Sequence, residues 1–291
     1  MKRILLTSLE IKHLTDELQF LSGGTIDGIF HKDKDIAMKI IAKGKGYNLF
    51  ASPDMICLTD RERIKDITEF AMMLRKYMKG KKIVGIKQHV FDRIFEIWTE
   101  NNILIFEMDN PNCILCDRTL KIITPMEFQK FENRNITAGV NYTYPKSIDI
   151  RDVNNLEKIM HSEETVIKLL ENFFSGYASD ILTLAKISQG KVAKELTEAE
   201  IKRLKDVINF LVYSNRKPQI IYNGDNAEVL LFDLETRKAE RKRYFNSFVE
   251  ALGYLITKEE EIENVRKAER KRIKKHRKHK MKKMLRKKGK L

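Results

Sequence analysis

Between residues 8 and 58 the spacing of apolar positions changes once. Leu9, Ile11, Leu14, Leu18 and Leu21 recur at helical spacing, with Thr7-Ser8 as an N-cap and Glu10 in the first turn. After Ser22-Gly23-Gly24 the pattern shortens to alternating runs at 26–30, 35–41, 47–50 and 55–58, separated by turn-type clusters. This predicts one helix followed by an antiparallel meander. A second helix carries Phe70, Met73, Leu74 and Tyr77 on one face, with Arg75, Lys76 and Lys79 on the other. Strands are then expected at 83–86, 90–98, 103–107, 113–116 and 120–123, and the second of these carries the pair Asp92-Arg93.

From Leu156 to Tyr213 the period is helical. Thr197 and Glu200 form a capping box, and Ile201, Leu204, Val207, Ile208 and Leu211 line one side of the helix it opens. The stretch 220–232 reads as a hairpin turning at Asn223-Gly224, and 244–256 reads as a closing helix. The expected fold is therefore α+β: a strand-rich domain over 1–150, a helical module with a β-hairpin over 151–257, and a charged extension over 258–291.

Charge changes this picture at one end only. The net formal charge is +15, yet 16 of the 56 Lys and Arg and one of the 41 Asp and Glu fall in residues 264–291, leaving 40 of each sign in 1–263. The body is neutral, and the excess is one discrete element. Its apolar residues are too sparse for a coiled-coil seam. Arg270, Lys271, Arg272, Lys274, Lys275, Arg277 and Lys278 are expected to hold RNA phosphates non-specifically, because cation–phosphate contacts release counterions. Membrane-surface attraction is the rival reading, but no Trp or Phe interrupts the run to insert.

Three cysteines in a chain of 291 residues do not make a disulfide framework. Cys113-x-x-Cys116 lacks a second ligand pair, and on a strand its two side chains point to opposite faces. No metal or other cofactor is expected. The six histidines converge on no nucleophile, and neither a P-loop nor a G-x-S-x-G elbow occurs. No stretch approaches the roughly 18 apolar residues of a membrane span. A cytoplasmic protein without enzymatic activity is the expectation.

The order of several short segments carries a resemblance. They are Ser8-Leu9-Glu10, Gly23-Gly24-Thr25-Ile26, Phe70–Leu74 with Arg75-Lys76, Gln88, Asp92-Arg93, Asn112–Leu115, and Arg134 with Gly139, Tyr142 and Pro145. Gly176-Tyr177-Ala178, Leu196-Thr197, Pro218 and Phe245–Leu252 continue the series. Over about 1–256 the chain resembles the N-terminal half of the NFACT proteins of ribosome quality control. The resemblance implies a first domain related to the Fpg/Nei glycosylases and a second that is helix-hairpin-helix-like. Glycosylase chemistry is not expected, since those enzymes use an N-terminal Pro followed by Glu and this chain begins Met1-Lys2-Arg3.

The resemblance also implies partners: tRNA and the rRNA of the large ribosomal subunit. Asp92 and Arg93 are the implied tRNA contacts. Glu10 stands where the family more often has Asp, and Arg75 and Lys76 are further candidates for the same surface. Arg134, Gly139, Tyr142 and Pro145 are expected to shape a turn that closes the first domain. Family members continue into a long coiled coil and a second folded half. Here the tail or a separate polypeptide is expected to substitute for them. The alternative is a DNA- or RNA-binding protein of nucleic-acid processing, with a glycosylase-like but inactive fold.

Overall fold

Both halves of the chain converge on one helix, α1 (Ser8–Leu18). The computed structural model describes residues 5–59, 64–224 and 226–258. Eight of the eleven residues of α1 are buried, His13 and Glu10 among them. Its start is closed by a capping box: Glu10 N–H donates to Thr7 Oγ1 at 3.2 Å, and Thr7 N–H donates to Glu10 Oε2 at 2.8 Å. Such a cap contributes about 1 kcal/mol by satisfying N–H groups that have no partner within the helix.

The strands follow as two antiparallel meanders. β1 (Thr25–Lys32), β2 (Asp35–Ala42), β3 (Lys45–Ala51) and β4 (Ile56–Thr59) form the first, in chain order. After α2 (Glu69–Met78) come β5 (Ile83–Gln88), β6 (Ile94–Thr99), β7 (Asn102–Glu107), β8 (Asn112–Asp117) and β9 (Ile122–Pro125), again in chain order. A short pair, β10 (Gln129–Lys130) with β11 (Asn135–Ile136), follows. The five-stranded sheet is covered on both faces. Cys113 joins the main core, whereas Cys116, three residues on, joins a second cluster with Ile103, Ile114 and Tyr142. Both thiols are buried and free, as the strand geometry requires.

The second half comprises α3 (Val153–Met160), α4 (Val166–Phe174), α5 (Ala178–Ala185), α6 (Glu198–Tyr213) and a small sheet. In that sheet β12 (Gln219–Asn223) lies between β13 (Asn226–Leu230) and β14 (Arg241–Tyr244). A last helix, α7, occupies 248–258. The Thr197–Glu200 capping box opens α6 as expected.

Contacts between the halves are specific as well as apolar. His13 Nε2 donates to the Leu211 carbonyl at 2.8 Å, and burial lowers the His13 pKa to about 4, so the ring stays neutral. Glu17 accepts from the N–H groups of Phe248 at 3.0 Å and Val249 at 2.9 Å, which caps α7 from α1. Gly253 in α7 lies against β4 so closely that a Cβ would collide with the Leu58 carbonyl. One cluster of buried apolar side chains takes in residues from Leu6 to Ile256.

Four expectations are corrected. Asp92 and Arg93 are not on a strand but in the loop 89–93 between β5 and β6. Val90 there has φ 50°, a left-handed conformation that ends the extended run. Arg241–Tyr244 pairs with β12, so the closing helix starts at 248 and not at 244. Asn223 pairs with Asn226, so Asn223 is still strand and the turn begins at Gly224, at φ 57°. The strand expected at 120–123 is observed two residues later, because Leu120 at φ 66° belongs to the preceding turn.

Candidate nucleic-acid interface

The 89–93 loop is anchored residue by residue. The His89 ring stacks on Tyr144 with centroids 3.5 Å apart and planes 2° from parallel. The Val90 carbonyl accepts from Arg151 Nη2 at 2.7 Å. Phe91 is buried, 5.6 Å from the Phe174 ring. Gln88 Nε2 donates to both the Ser8 and the Asp92 carbonyls at 2.8 Å, tying the loop to the start of α1. A β-branched residue at positive φ costs on the order of 1–3 kcal/mol and persists only where its surroundings over-determine it. These four anchors do so at Val90.

Within that frame Asp92 and Arg93 have separate partners. Asp92 Oδ1 accepts from the Arg93 backbone N–H at 2.7 Å. The Arg93 guanidinium turns elsewhere: Nε donates to the Leu6 carbonyl at 2.7 Å and Nη1 to Asp109 Oδ1 at 2.5 Å. Nη2 is buried and has no partner among the described residues. Asp109 is 59% exposed, so the carboxylate that occupies Arg93 lies at the surface. Burial raises the pKa of Asp92, against the Arg93 N–H, with the nearby charge of Asp109 adding to the rise.

Glu10 is placed beside this loop but inside the fold. Its Oε1 accepts from the Tyr177 hydroxyl at 3.3 Å, and that hydroxyl in turn accepts from the Leu231 N–H at 3.0 Å. Burial is the main cause that raises its pKa from 4.5 to about 7, with the hydrogen bonds to Thr7 and Tyr177 opposing. Glu10 and Tyr177 line a cleft of about 380 Å³ together with Thr7, Ser175 and Glu228. From that position Glu10 shapes the start of α1, from which Leu6 and Ser8 reach Arg93 and Gln88.

Arg75 and Lys76 are not gathered into this loop. Arg75 Nε donates to the Ile29 carbonyl at 2.6 Å, and its guanidinium lies 4.7 Å from the Phe30 ring centroid, so it fastens α2 to β1. Lys76 is exposed, with Nζ 5.5 Å from the Tyr77 ring. Arg134 is tied to the end of β7: it makes a bidentate pair with Glu107 at 2.6 Å and 2.6 Å, and Tyr142 donates to the same carboxylate at 2.7 Å. Arg270, Lys271, Arg272, Lys274, Lys275, Arg277 and Lys278 lie outside the described residues. Sequence reasoning missed Asp109 as the partner of Arg93 and Tyr177 as the partner of Glu10. The Gly176-Tyr177 motif was visible, but nothing local pointed it at α1.

No group of three or more His, Cys, Asp and Glu close enough to hold a metal ion occurs among the described residues. Among them, no helix is long and apolar enough to cross a membrane.

Residues 7–291 match the family of NFACT N-terminal and middle domains. An archaeal Rqc2 homolog, aRqcH, of Methanocaldococcus jannaschii is 30% identical over 285 residues, covering 87% of this chain and 42% of that protein. An Rqc2 homolog, RqcH, of Streptococcus pneumoniae is 26% identical over 199 residues, covering 58% of this chain and 36% of the relative. The chain thus spans less than half the length of either. Among solved structures, the fibrinogen binding protein from Staphylococcus aureus aligns with a TM-score of 0.68 at 22% identity, over 85% of this chain and 97% of that one. The N-terminal part of the fibronectin/fibrinogen-binding protein from Streptococcus suis aligns with a TM-score of 0.68 at 22% identity, over 87% and 99%. These two likenesses concern the fold.

Proposed function

Since this chain belongs to the NFACT family, matching its N-terminal and middle domains over residues 7–291, we propose that it is a non-enzymatic RNA-binding factor of ribosome-associated quality control. In this reading it binds tRNA and the large ribosomal subunit in the cytoplasm to rescue stalled translation. The observation that carries the reading is the family match, accompanied by Rqc2 homologs in an archaeon and a bacterium. We also read residues 1–150 as a domain on the Fpg/Nei plan and 151–257 as a helix-hairpin-helix-like module. Residues 258–291 are its basic extension.

The geometry suits Arg93 to phosphate or guanine recognition. Its Nη1 is held by one contact to a surface carboxylate, Asp109 Oδ1, which a phosphate oxygen could replace. The loop carrying it is fixed on four sides, so a ligand would meet a preorganised group. Asp92 has one oxygen on the Arg93 N–H and another for a ribose hydroxyl or an exposed base. Lys76, an exposed charge on α2, is a further contact apart from the loop, Arg75 fastens that helix to β1, and Glu10 positions the α1 start behind the loop. The tail supplies attraction and the loop selects.

Ribosome sedimentation and tRNA crosslinking with the double variant Asp92→Ala/Arg93→Ala test this. Loss of tRNA crosslinking is expected, with ribosome association reduced less because the tail remains. Unchanged tRNA contact overturns the site.

A further inference from the structure

The strongest unassigned feature is a cleft of about 630 Å³ where α7 crosses the first sheet. That volume falls in the ordinary range of small-ligand sites. Two aromatic pairs form its walls. Phe20 and Tyr47 meet edge to face with centroids 5.1 Å apart, and Phe245 and Tyr254 lie 5.4 Å apart at 51°. All four rings are half-buried.

Cations sit at the same place. The Arg243 guanidinium lies 4.0 Å from the Tyr254 centroid and 5.2 Å from that of Phe245. Lys258 Nζ lies 5.9 Å from Tyr254. β14 leads into the cleft, with Arg241, Arg243 and Phe245 at alternate positions on one side. Arg241 rests 4.2 Å from the Tyr222 centroid. Neither Arg241 nor Arg243 has an acidic partner among the described residues, whereas Lys242, Lys217 and Tyr244 on the other side all converge on Asp233. Two carboxylates also line the cleft. Glu17 is committed to the α7 cap and to Arg216 at 3.4 Å. Glu250 is exposed at the rim, where it can accept from a base amino group or a ribose hydroxyl.

An aliphatic partner would need neither the ring faces nor the cations. The geometry points to a binding site for one unpaired nucleobase of a single-stranded RNA segment. The base stacks on the aromatic walls of the cleft, taking the place of the Arg243 guanidinium over Tyr254, and Arg243 with Lys258 turns to its flanking phosphates. Ring faces accept any base, so the site is tolerant of sequence. This rests on the RNA-binding reading and adds a second contact, distinct from the Arg93 loop.

The test uses the full chain and a fluorescent single strand of about ten nucleotides, within the span of one such site. A 5-iodouridine at its centre crosslinks to stacked aromatic rings on irradiation. Crosslinked peptides are expected to map to Phe20, Tyr47, Phe245 or Tyr254. Tyr47→Leu/Tyr254→Leu should lower the crosslink yield and weaken binding by roughly tenfold. Thr257→Trp, which fills the cleft without removing a wall, should do the same and guards against a folding defect in the first variant. RNA binding with crosslinks only elsewhere, or with yield unchanged in both variants, overturns the base site and leaves the RNA-binding reading standing. No change in fluorescence anisotropy with any RNA overturns both.

Discussion

The Tyr177 hydroxyl stands 3.3 Å from Glu10 Oε1, joining residues 167 positions apart in a buried contact between α1 and the second half of the chain. Because that hydroxyl also accepts from the Leu231 N–H, its own proton is available to Glu10.

This carboxyl makes stability pH-dependent in a definite direction. Below pH 4.5 Glu10 is protonated in both the folded and the unfolded chain. From 4.5 to about 7 only the unfolded chain ionises, so stability falls as pH rises, and above 7 the loss is complete. The full effect is roughly 3 kcal/mol at ~1.4 kcal/mol per pKa unit. Glu10→Gln keeps an acceptor for the Thr7 N–H and removes the titration. Its unfolding free energy should be flatter than the wild type's between pH 5 and 8, as read from denaturant midpoints. Parallel pH profiles for the two proteins would show that Glu10 is not the responsible group.

What was legible in the sequence was local. The β1–β4 meander and the Thr197–Glu200 box follow from spacing and caps within a few residues, and both form as expected. The stretch around Asp92–Arg93 reads as a strand because it is rich in β-branched and aromatic residues, but the positive φ of Val90 is imposed by anchors such as Arg151 that lie far along the chain. β14 was missed because Arg241-Lys242-Arg243-Tyr244 has no apolar alternation, and its place is set by pairing with β12. The central role of α1 was hidden for the same reason. Its polar residues His13 and Glu17 look like a solvated face until α6 and α7 arrive.

Seating of α7 depends on a hydrogen at one position. Gly253→Ala would drive a methyl group into the Leu58 carbonyl, a backbone atom that cannot rotate away. A cost of about 1–3 kcal/mol is expected. Hydrogen exchange should rise in α7 and β4 with little change in β5–β9. Uniform exchange across the protein would contradict this local origin.

Arg134→Lys is predicted not to be conservative. The guanidinium spans both Glu107 oxygens at 2.6 Å and lies 4.4 Å from the Phe131 centroid, and a single ammonium cannot reproduce the fork. Glu107 is only 2% exposed in its side chain, so a weakened partner leaves a buried charge poorly matched. A loss of about 2 kcal/mol, or roughly 4–8 °C in Tm, is expected. A Tm within 1 °C of wild type, taking ~2–4 °C per kcal/mol as the scale, would rule it out.

Asp109 offers a gain-of-binding test. Its pair with Arg93 is exposed on the acid's side and should contribute no more than ~1 kcal/mol to folding. Asp109→Asn removes the carboxylate that competes with phosphate for Nη1. tRNA affinity should rise by roughly fivefold, the equivalent of about 1 kcal/mol. Adding Arg93→Ala should cancel the gain, because the effect runs through that guanidinium. A gain that survives Arg93→Ala would assign it to general charge instead.

Tail and body should separate by salt. Residues 1–263 carry 40 charges of each sign, so any RNA contact made by the body is local, whereas 264–291 carries 16 Lys and Arg against one acid. Each phosphate neutralised releases roughly 0.7–0.9 counterions, so the slope of log affinity against log salt counts those contacts. Deleting 264–291 should make the slope markedly shallower and weaken binding to all RNAs alike. The truncated chain should still prefer tRNA over an unstructured strand of equal length, and Asp92→Ala/Arg93→Ala should erase that residual preference. If the truncated chain binds no RNA at low salt, the tail is the whole of the interface and the loop has no part in it.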